Sequence, residues 1–329
     1  MKILILISAI FSVNTINASE TLTIYSSRTE SLIRPILDQY TKKTGIKFRV
    51  KTGKDGALIQ TLIAEKESSP ADILMTVDAG NLWFAKKSNL FTSVNSNILK
   101  GQIPSHLRDK ENHWFGLSLR ARTIVYHKDR VDPKNIISYE NLSNPIFKEK
   151  LCLRTSKKVY NQSLVSMLIS ELGINETKKV LKGWINNTLK IFSSDTKLIE
   201  AIEKGQCDIG IVNTYYLGRL QKKVKNYPVK IYWPNQKSYG VHVNVSGAGV
   251  TKYSKNKKEA IKFLEWLSGE EAQSSFASTN LEFPVLEKSK VEPIVKSWGD
   301  FKSNSSFHLS KAGELQTQSI KLMQEVGYK

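Results

Sequence analysis

Two adjacent tyrosines, Tyr215 and Tyr216, follow a short apolar run in the segment GQCDIGIVNTYYLGRL at 205–220. The run at 207–212 predicts a buried strand, and residues 215–221 predict the start of a helix. Both phenols would then lie at a strand-to-helix turn, where open α/β sheets bind ligands, with Arg219 one helical turn further on. Their oxygens would suit a hard, highly charged cation. The alternative is that both rings pack in the core or at its rim, as amphipathic tyrosines often do.

The sequence lacks the motifs of common enzyme chemistry. It has no P-loop, no strand-GxGxxG-helix fingerprint, no HExxH and no GxSxG, and the segment SGAG at 246–249 has the spacing of none of them. No pair of carboxylates stands out for acid–base catalysis. CxxC pairs and Cys/His clusters are also absent, and the five histidines are scattered. We therefore expect a protein that is not an enzyme.

The elements that must position the tyrosines begin with an alternating pattern. Strands are predicted at 22–25, 46–50 and 72–77, with helices at 32–40 and 58–65 between them. This βαβαβ order with short links predicts a parallel sheet covered by helices. The turns at 26–30 and 77–80 would open at the carboxyl edge of that sheet and are candidate ligand loops. In the second of these turns Asp78 is expected to form the turn itself.

A second α/β unit follows a predicted strand at 114–131. This strand carries Arg120 and Arg122 among apolar neighbours, and one of them is expected to meet an anion. Helices are predicted at 162–172, 176–187 and 197–204, followed by the strand and helix of the tyrosine segment and a strand at 229–233. Strand alternation resumes at 241–250 before an amphipathic helix at 260–267, which we interpret as a return to the first unit. A last helix is predicted at 312–326.

These units predict an α/β fold with two lobes, a hinge and an interlobe cleft, which suits a chain of 329 residues. The N-terminal lobe would comprise 19–118 and 241–290, and the C-terminal lobe 119–240 and 291–329. The crossings near Leu119 and Gly240 would leave the ligand loops of both lobes facing the cleft. We therefore expect the function to reside there.

The N-terminal residues 1–18 indicate export. They combine a lysine, an apolar stretch and small residues up to Ala18, which is typical of a cleavable secretory signal peptide. The apolar stretch is too short to span a membrane.

The chain is strongly basic, with a formal net charge of +19. Such a charge would suggest nucleic acid for a cytoplasmic protein, but the lysines are spread out, with no basic arm and no RNA-binding aromatic motif. For an exported protein the expected partner is instead an anionic membrane surface or an anionic ligand, and a solvated lysine surface is the default interpretation. We expect no nucleic acid partner.

The two cysteines are Cys152 and Cys207. An even number in an exported protein favours one disulfide bond, since the compartment is oxidising. The alternative is two buried free thiols.

Several sequence blocks occur in order along nearly the whole mature chain. They are IYSSR at 24–28, ADILMTVDAGNLW at 71–83, WFGLSLRARTIVY at 114–126, VYNQSL at 159–164, the tyrosine segment at 205–220 and HVNVSGAGV at 242–250. With these blocks the chain resembles the ferric-iron-binding proteins of bacterial ABC importers, especially their cyanobacterial-type, tyrosine-rich subgroup. The resemblance implies a bilobal periplasmic binding protein, expected to be a monomer, which closes on iron and delivers it to an ABC permease in the inner membrane.

The resemblance also implies the metal ligands. The tyrosine of the YNQS block and the adjacent pair correspond here to Tyr160, Tyr215 and Tyr216, and the ligand would be iron, as Fe³⁺ or Fe²⁺. Fe³⁺ is a hard cation that prefers anionic oxygen, and metal binding ionises a phenol of ordinary pKa about 10. Arg219 and Arg120 are implied as residues that balance the charge beside the metal; for Arg219 the alternative is a surface arginine on a helix.

The chain departs from the family pattern at the first loop. Related proteins often carry a histidine and a tyrosine directly after SSR, whereas this chain has Thr29 and Glu30. Glu30 would either replace the missing phenolate with a carboxylate or face solvent while water or a small anion completes the metal shell. Thr29 is at most a hydrogen-bond donor.

A second function on the same fold stays open at this point. The missing first-loop ligands and the basic charge also suit a receptor for an organic or phosphate-type anion. Arg28, Arg120 and Arg219 would hold such an anion.

Overall fold

The computed structural model describes residues 21–286 and 288–329. The predicted signal peptide at 1–18 lies outside the described residues. Within the described ranges, no helix has the length and apolar character needed to cross a membrane.

The first part of the chain contains the predicted βαβαβ unit. Its elements are β1 (Thr21–Ser26), α1 (Glu30–Thr44), β2 (Lys47–Thr52), α2 (Asp55–Glu65), β3 (Ile73–Thr76), α3 (Ala79–Lys87) and α4 (Asn97–Gln102). The strands β2, β1 and β3 lie side by side and parallel, which confirms the predicted arrangement.

Helix α1 illustrates how the sequence forms this unit. Ile33, Ile36, Leu37 and Tyr40 recur at helical spacing and are all buried. The helix ends at Gly45, whose left-handed backbone (φ 81°) lets its N–H bond the carbonyl of a residue in the last turn. The apolar face therefore fixes α1 on the sheet, and its first turn lies next to the loop that follows β1.

The rest of the chain forms the second unit and the return. Its elements are β4 (Phe115–His127), β5 (Leu151–Arg154), α5 (Val159–Leu172), α6 (Ile174–Asn187), β6 (Thr188–Phe192), α7 (Asp195–Glu203), β7 (Ile209–Asn213), α8 (Thr214–Lys223), β8 (Val229–Tyr232), β9 (Val243–Val250), α9 (Lys257–Ser268), α10 (Glu270–Asn280), α11 (Pro293–Lys296), α12 (Ser310–Glu314) and α13 (Gln316–Glu325).

Strand β4 connects the two parts of the sheet. Its residues 115–121 pair with β9, and its residues 122–127 pair with β7 and β8, all antiparallel. Strand β9 also pairs with β3, so the chain does return to the first unit, as predicted. The lobe boundaries predicted at 118/119, 240/241 and 290/291 stay a prediction, which the change of strand partners within β4 supports.

Several predicted elements differ from the structure. The strand predicted at 114–131 is shorter, because the chain turns after His127, and the last helix is two helices separated at Leu315. Helix α5 begins at Val159, three residues before its predicted start, so Tyr160 lies in its first turn. The sequence did not predict β5 or β6, which are only four and five residues long, and no residue of β6 is fully buried.

Candidate metal centre

The tyrosine pair lies at a strand-to-helix turn, as predicted. Strand β7 ends at Asn213, and α8 begins at Thr214. β7 packs closely on β5 at Gly210, where a Cβ atom would come within 2.9 Å of the Cys152 carbonyl oxygen. This close pairing fixes the start of α8, and with it Tyr215 and Tyr216, at the edge of the sheet.

One cavity of about 220 Å³ brings the predicted tyrosines together. Tyr160 from α5 and Tyr215 and Tyr216 from α8 all line it. The ring centres of Tyr215 and Tyr216 are 4.4 Å apart, and the Tyr215 hydroxyl interacts with those of Tyr160 and Tyr216. The opposite wall comes from the first unit, from β9 and from the segment after α10. It consists of Ser27, Arg28, Thr29, Leu32, Val77, Ser246 and Glu282.

Burial disfavours the charged forms of Tyr160 and Tyr215 when no cation is bound. Burial raises the pKa of Tyr215 well above its ordinary value, and neighbouring Tyr160 and Tyr216 raise it further. Burial also raises the pKa of Tyr160, although the charge of Arg120 opposes the rise. A metal ion that binds here must therefore displace protons, which a strong Lewis acid can do.

Two of the predicted arginines lie against these rings. The guanidinium of Arg120 lies 5.7 Å from the ring centre of Tyr160, and that of Arg219 lies 5.1 Å from the ring centre of Tyr215. Arg120 is buried and its Nη2 has no hydrogen-bond partner among the described residues, whereas Arg219 is exposed. Both arginines are in place to offset negative charge on the phenol oxygens.

A third arginine, Arg154, lies against two of the tyrosines without lining the cavity and was missed by the sequence analysis. Its guanidinium lies 5.7 Å from the ring centre of Tyr160 and 6.0 Å from that of Tyr216. Burial disfavours its charge, but Asp195 and the Tyr216 hydroxyl outweigh this and raise the pKa of Arg154. Arg154 is the last residue of β5, a strand that the sequence analysis did not predict; with that strand predicted, the rule that drew attention to strand ends would have found it.

Arg28 forms a buried ion pair across the cavity wall. Its Nη2 donates to the Glu282 carboxylate at 2.9 Å and to the Ser246 hydroxyl at 2.6 Å. Ser118 donates to the same carboxylate oxygen at 2.6 Å. The positive charge of Arg28 is thus largely neutralised by Glu282, although its Nε has no partner among the described residues.

The two first-loop residues lie in different places. Thr29 lines the cavity, whereas Glu30 is not one of the lining residues. The Glu30 carboxylate pairs with Arg34 one turn along α1, and its side chain is half exposed. The structure therefore brings Tyr160, Tyr215, Tyr216, Arg120 and Arg219 together with Thr29 but leaves Glu30 outside this group.

A chain of buried polar groups connects the two units beside the cavity. The carboxylate of Asp78 caps the start of α3 by accepting from the Gly80 N–H at 2.7 Å, which confirms its turn-forming role. Asn244 donates from Nδ2 to Asp78 at 2.8 Å and to the Ser163 hydroxyl at 2.9 Å. Ser163 lies one turn after Tyr160 on α5, and its hydroxyl is 2.9 Å from Nε2 of His242.

His242 and Asp78 are the titratable groups of this hydrogen-bonded series, and burial shifts the pKa of each. Both are therefore mainly neutral between about pH 3 and about pH 6. Burial lowers the pKa of His242 to about 3, and the charges of Arg122 and Arg120 add to the effect. Burial raises the pKa of Asp78 to about 6, with Arg120 opposing the rise. His242 is therefore a neutral imidazole throughout the physiological range.

The free energy of unfolding should decrease in acid because of His242. Its folded pKa of about 3 lies below the ordinary 6.5, so it contributes stability above pH 6.5 that is lost as the pH falls toward 3. Between pH 7 and pH 5 we expect the wild type to lose about 2 kcal/mol more unfolding free energy than His242→Gln. Urea denaturation at both pH values measures the difference. Equal losses in the two proteins would contradict the assignment, whatever the absolute stability of the variant.

Comparison with known proteins identifies the family. The sequence profile of the family described as bacterial extracellular solute-binding protein matches residues 68–303. The chain belongs to this family. Iron uptake protein A1 of Synechocystis sp. is 38% identical over 314 residues, which cover 93% of this chain and 87% of that protein.

Solved structures of the solute-binding family confirm the bilobal α/β fold. A structure of Trichodesmium FutA with iron and citrate ligands has a TM-score of 0.90 and 40% identity, covering 94% of this chain and all of that one. A ferric binding protein from Campylobacter jejuni has a TM-score of 0.86 and 34% identity, covering 94% of this chain and 100% of that chain. The resemblance to ferric-iron-binding proteins is therefore confirmed.

Proposed function

We propose that this chain is an exported receptor that captures Fe³⁺ in the interlobe cleft and delivers it to the permease of an ABC importer. The observation that carries the proposal is the convergence of Tyr160, Tyr215 and Tyr216 on one cavity. The names of its relatives, an iron uptake protein and ferric binding proteins, support iron as the cargo.

The donor set suits a hard trivalent cation. Three phenolates carry three negative charges, which match the charge of Fe³⁺, and they are anionic oxygen ligands. Among the described residues, no group of three His, Cys, Asp or Glu side chains offers a competing metal site. We infer that Arg120 and Arg219 offset the excess charge when a further anion joins the three phenolates.

A small anion is the proposed partner of the metal in place of the missing first-loop ligands. Glu30 is engaged with Arg34, which favours the alternative in which a small anion or water completes the shell. Arg28 Nε and Arg120 Nη2 are buried donors without partners among the described residues, and an anion in the cavity would satisfy them. Trichodesmium FutA holds citrate together with iron, which supports a carboxylate.

Membership of the solute-binding family and the sequence of residues 1–18 support the remaining parts of the proposal. The receptor acts by binding and lobe closure without catalysis, as a periplasmic monomer released from its signal peptide. Its partners are the iron ion and the permease in the inner membrane, with no nucleic acid.

Absorbance and calorimetry test the cargo. The purified mature protein should develop a phenolate-to-iron charge-transfer band with ferric citrate, and calorimetry should give tighter binding for ferric citrate than for phosphate or small carboxylates alone. An anaerobic titration with Fe²⁺ separates the two oxidation states. Tight phosphate binding by a protein that stays colourless with iron would instead support the anion receptor held by Arg28, Arg120 and Arg219.

The same titration with Glu30→Ala tests the first loop. If Glu30 of the wild type stays paired with Arg34 when iron binds, its carboxylate is not a ligand. The variant should then keep the band maximum and the affinity of the wild type. A weaker affinity with a shifted band would make Glu30 a metal ligand.

A further inference from the structure

Arg154 is held in place by a carboxylate with no exposure to solvent. Asp195, the first residue of α7, accepts from Arg154 Nη1 at 2.5 Å. Asp195 is fully buried, and Arg154 is only 6% exposed. A buried arginine paired in this way is fixed more tightly than a surface arginine, because breaking the pair would leave an uncompensated charge. The guanidinium plane thus has a defined position against the rings of Tyr160 and Tyr216.

The same carboxylate also connects to the third phenol. Arg122 approaches Asp195 at 3.4 Å and donates from Nη1 to the Asn213 side-chain oxygen at 3.1 Å. Asn213 in turn donates from Nδ2 to the Tyr215 hydroxyl at 3.3 Å. Asp195 and its two arginines are therefore connected to all three tyrosines, although none of the three lines the cavity.

The backbone around Arg154 is fixed as well. The Tyr328 hydroxyl donates to the Arg154 carbonyl oxygen at 2.8 Å and accepts from Asn161 Nδ2 at 2.9 Å. Asn161 is the neighbour of Tyr160 in the first turn of α5, and its side-chain oxygen accepts from Arg122 Nε at 2.8 Å. The end of β5 and the start of α5 are thereby joined into one rigid unit.

One donor of Arg154 is left over. Its Nε is buried and has no hydrogen-bond partner among the described residues. A buried N–H without a partner is unfavourable, so in a native protein it calls for an explanation, such as a functional role or a bound ion or water. The nearest groups that gain negative charge when a metal binds are the phenols of Tyr160 and Tyr216, over which the guanidinium lies.

We propose that Arg154, held by Asp195, is a positioning residue that fixes the rings of Tyr160 and Tyr216 for iron and stabilises their charged forms without lining the cavity itself. This inference rests on the proposed function, since it concerns the same site. Arg120 and Arg219 contact the rings from the cavity, whereas Arg154 does not line the cavity. Arg154 therefore acts on the metal only through the tyrosines.

The test compares Arg154→Gln and Arg154→Lys with the wild type. We expect iron affinity to fall about ten- to a hundredfold in Arg154→Gln, as for the loss of an outer-shell partner, and the charge-transfer band to shift. Lysine keeps the charge but lacks the planar fork, so Arg154→Lys should recover part of the affinity. The band position reports the geometry and electronics of the iron–phenolate bond, so a general loss of stability alone would not move it.

Asp195→Asn and Arg130→Gln complete the design. Asp195→Asn should shift the band in the same direction, because it releases Arg154. Arg130→Gln is the control, since Arg130 forms an ion pair of similar length with Asp208 (2.6 Å), which is more exposed and lies in the same half of the chain, and it should leave the band unchanged. Circular dichroism and thermal unfolding check that each variant is folded, and Arg154→Lys decides the outcome if Arg154→Gln does not fold.

The outcomes separate this inference from the proposed function. A wild-type protein without an iron band refutes the iron receptor itself. A wild-type protein with the band, together with a folded Arg154 variant of unchanged band maximum and affinity, overturns only the role of Arg154.

Discussion

The double substitution Tyr215→Phe/Tyr216→Phe is expected to abolish the iron band and to weaken iron binding by more than about a thousandfold. Loss of an outer-shell partner alone typically costs 10- to 100-fold in metal affinity, and this variant removes two proposed ligands. Phenylalanine keeps the ring volume, so the contact between the two rings, whose centres are 4.4 Å apart, should persist. The change is therefore confined to the two phenol oxygens. Absorbance and competition with a chelator of known affinity measure both effects.

Tyr227→Phe is the matched control for this experiment. Tyr227 is buried in the same half of the chain, and its hydroxyl donates to Glu203 at 3.0 Å, so the substitution also removes one buried phenol oxygen. It should leave the iron band and the affinity unchanged. Retention of the wild-type band in the Tyr215→Phe/Tyr216→Phe protein would exclude the proposed ligand set, because Tyr160 would be left as the single phenolate.

The tyrosine turn could be predicted because its signals are local. The apolar run that forms β7 and the polar turn after it are adjacent in sequence, so the position of Tyr215 and Tyr216 at a sheet edge followed from strand and helix patterns alone. The prediction of Tyr160 as a ligand also required the family resemblance, since Tyr160 lies on a different helix. Its closeness to Tyr215 and Tyr216 depends on the pairing of β5 with β7.

The buried ion pairs around the cavity could not be predicted in the same way. Asp195 and Arg154 are 41 positions apart, and Arg28 and Glu282 are 254 positions apart, so no local pattern relates them. In the sequence Asp195 and Glu282 cannot be distinguished from ordinary surface charges, and nothing pairs them with Arg154 and Arg28. Their burial and pairing are consequences of the packing of the two units and become visible only in three dimensions.

Glu30 shows that the position of a residue in the sequence does not by itself determine whether the residue binds the metal. It occupies the place where relatives often carry a ligand, and its carboxylate could coordinate iron in principle. Its position in the first turn of α1 also brings it within reach of Arg34 one turn later, and this local pair is the contact that the structure contains. The choice between a local partner and a distant metal is energetic, and the sequence alone does not determine it.

The disulfide bond between Cys152 and Cys207 is the source of the second large effect that we expect. The bond is present, as predicted, and it spans 55 positions that include α5, α6, β6 and α7. Reduction should lower the free energy of unfolding by about 4 kcal/mol, chiefly because the cross-link limits the freedom of the unfolded chain. Urea denaturation of the oxidised and reduced wild type, without iron, measures the change.

Cys152→Ala/Cys207→Ala separates the cross-link from the packing of the sulfur atoms. Both cysteines are buried, so the alanine protein should be less stable than the reduced wild type by the additional cavity term. Equal stability of the oxidised and reduced wild type would contradict a role for the bond in the fold.

Iron binding should respond far less to the loss of this disulfide. The bond joins β5 to the residues before β7, and these two strands also pair through their backbones, with Leu151 opposite Ile209 and Cys152 opposite Gly210. This pairing should keep Arg154 and the tyrosine turn in place in the reduced protein as long as it remains folded. Iron should then stabilise both forms by the same amount, since the ligand contribution depends only on its concentration and affinity. A stabilisation by iron that vanishes on reduction would mean that the disulfide, rather than the strand pairing, positions the phenols.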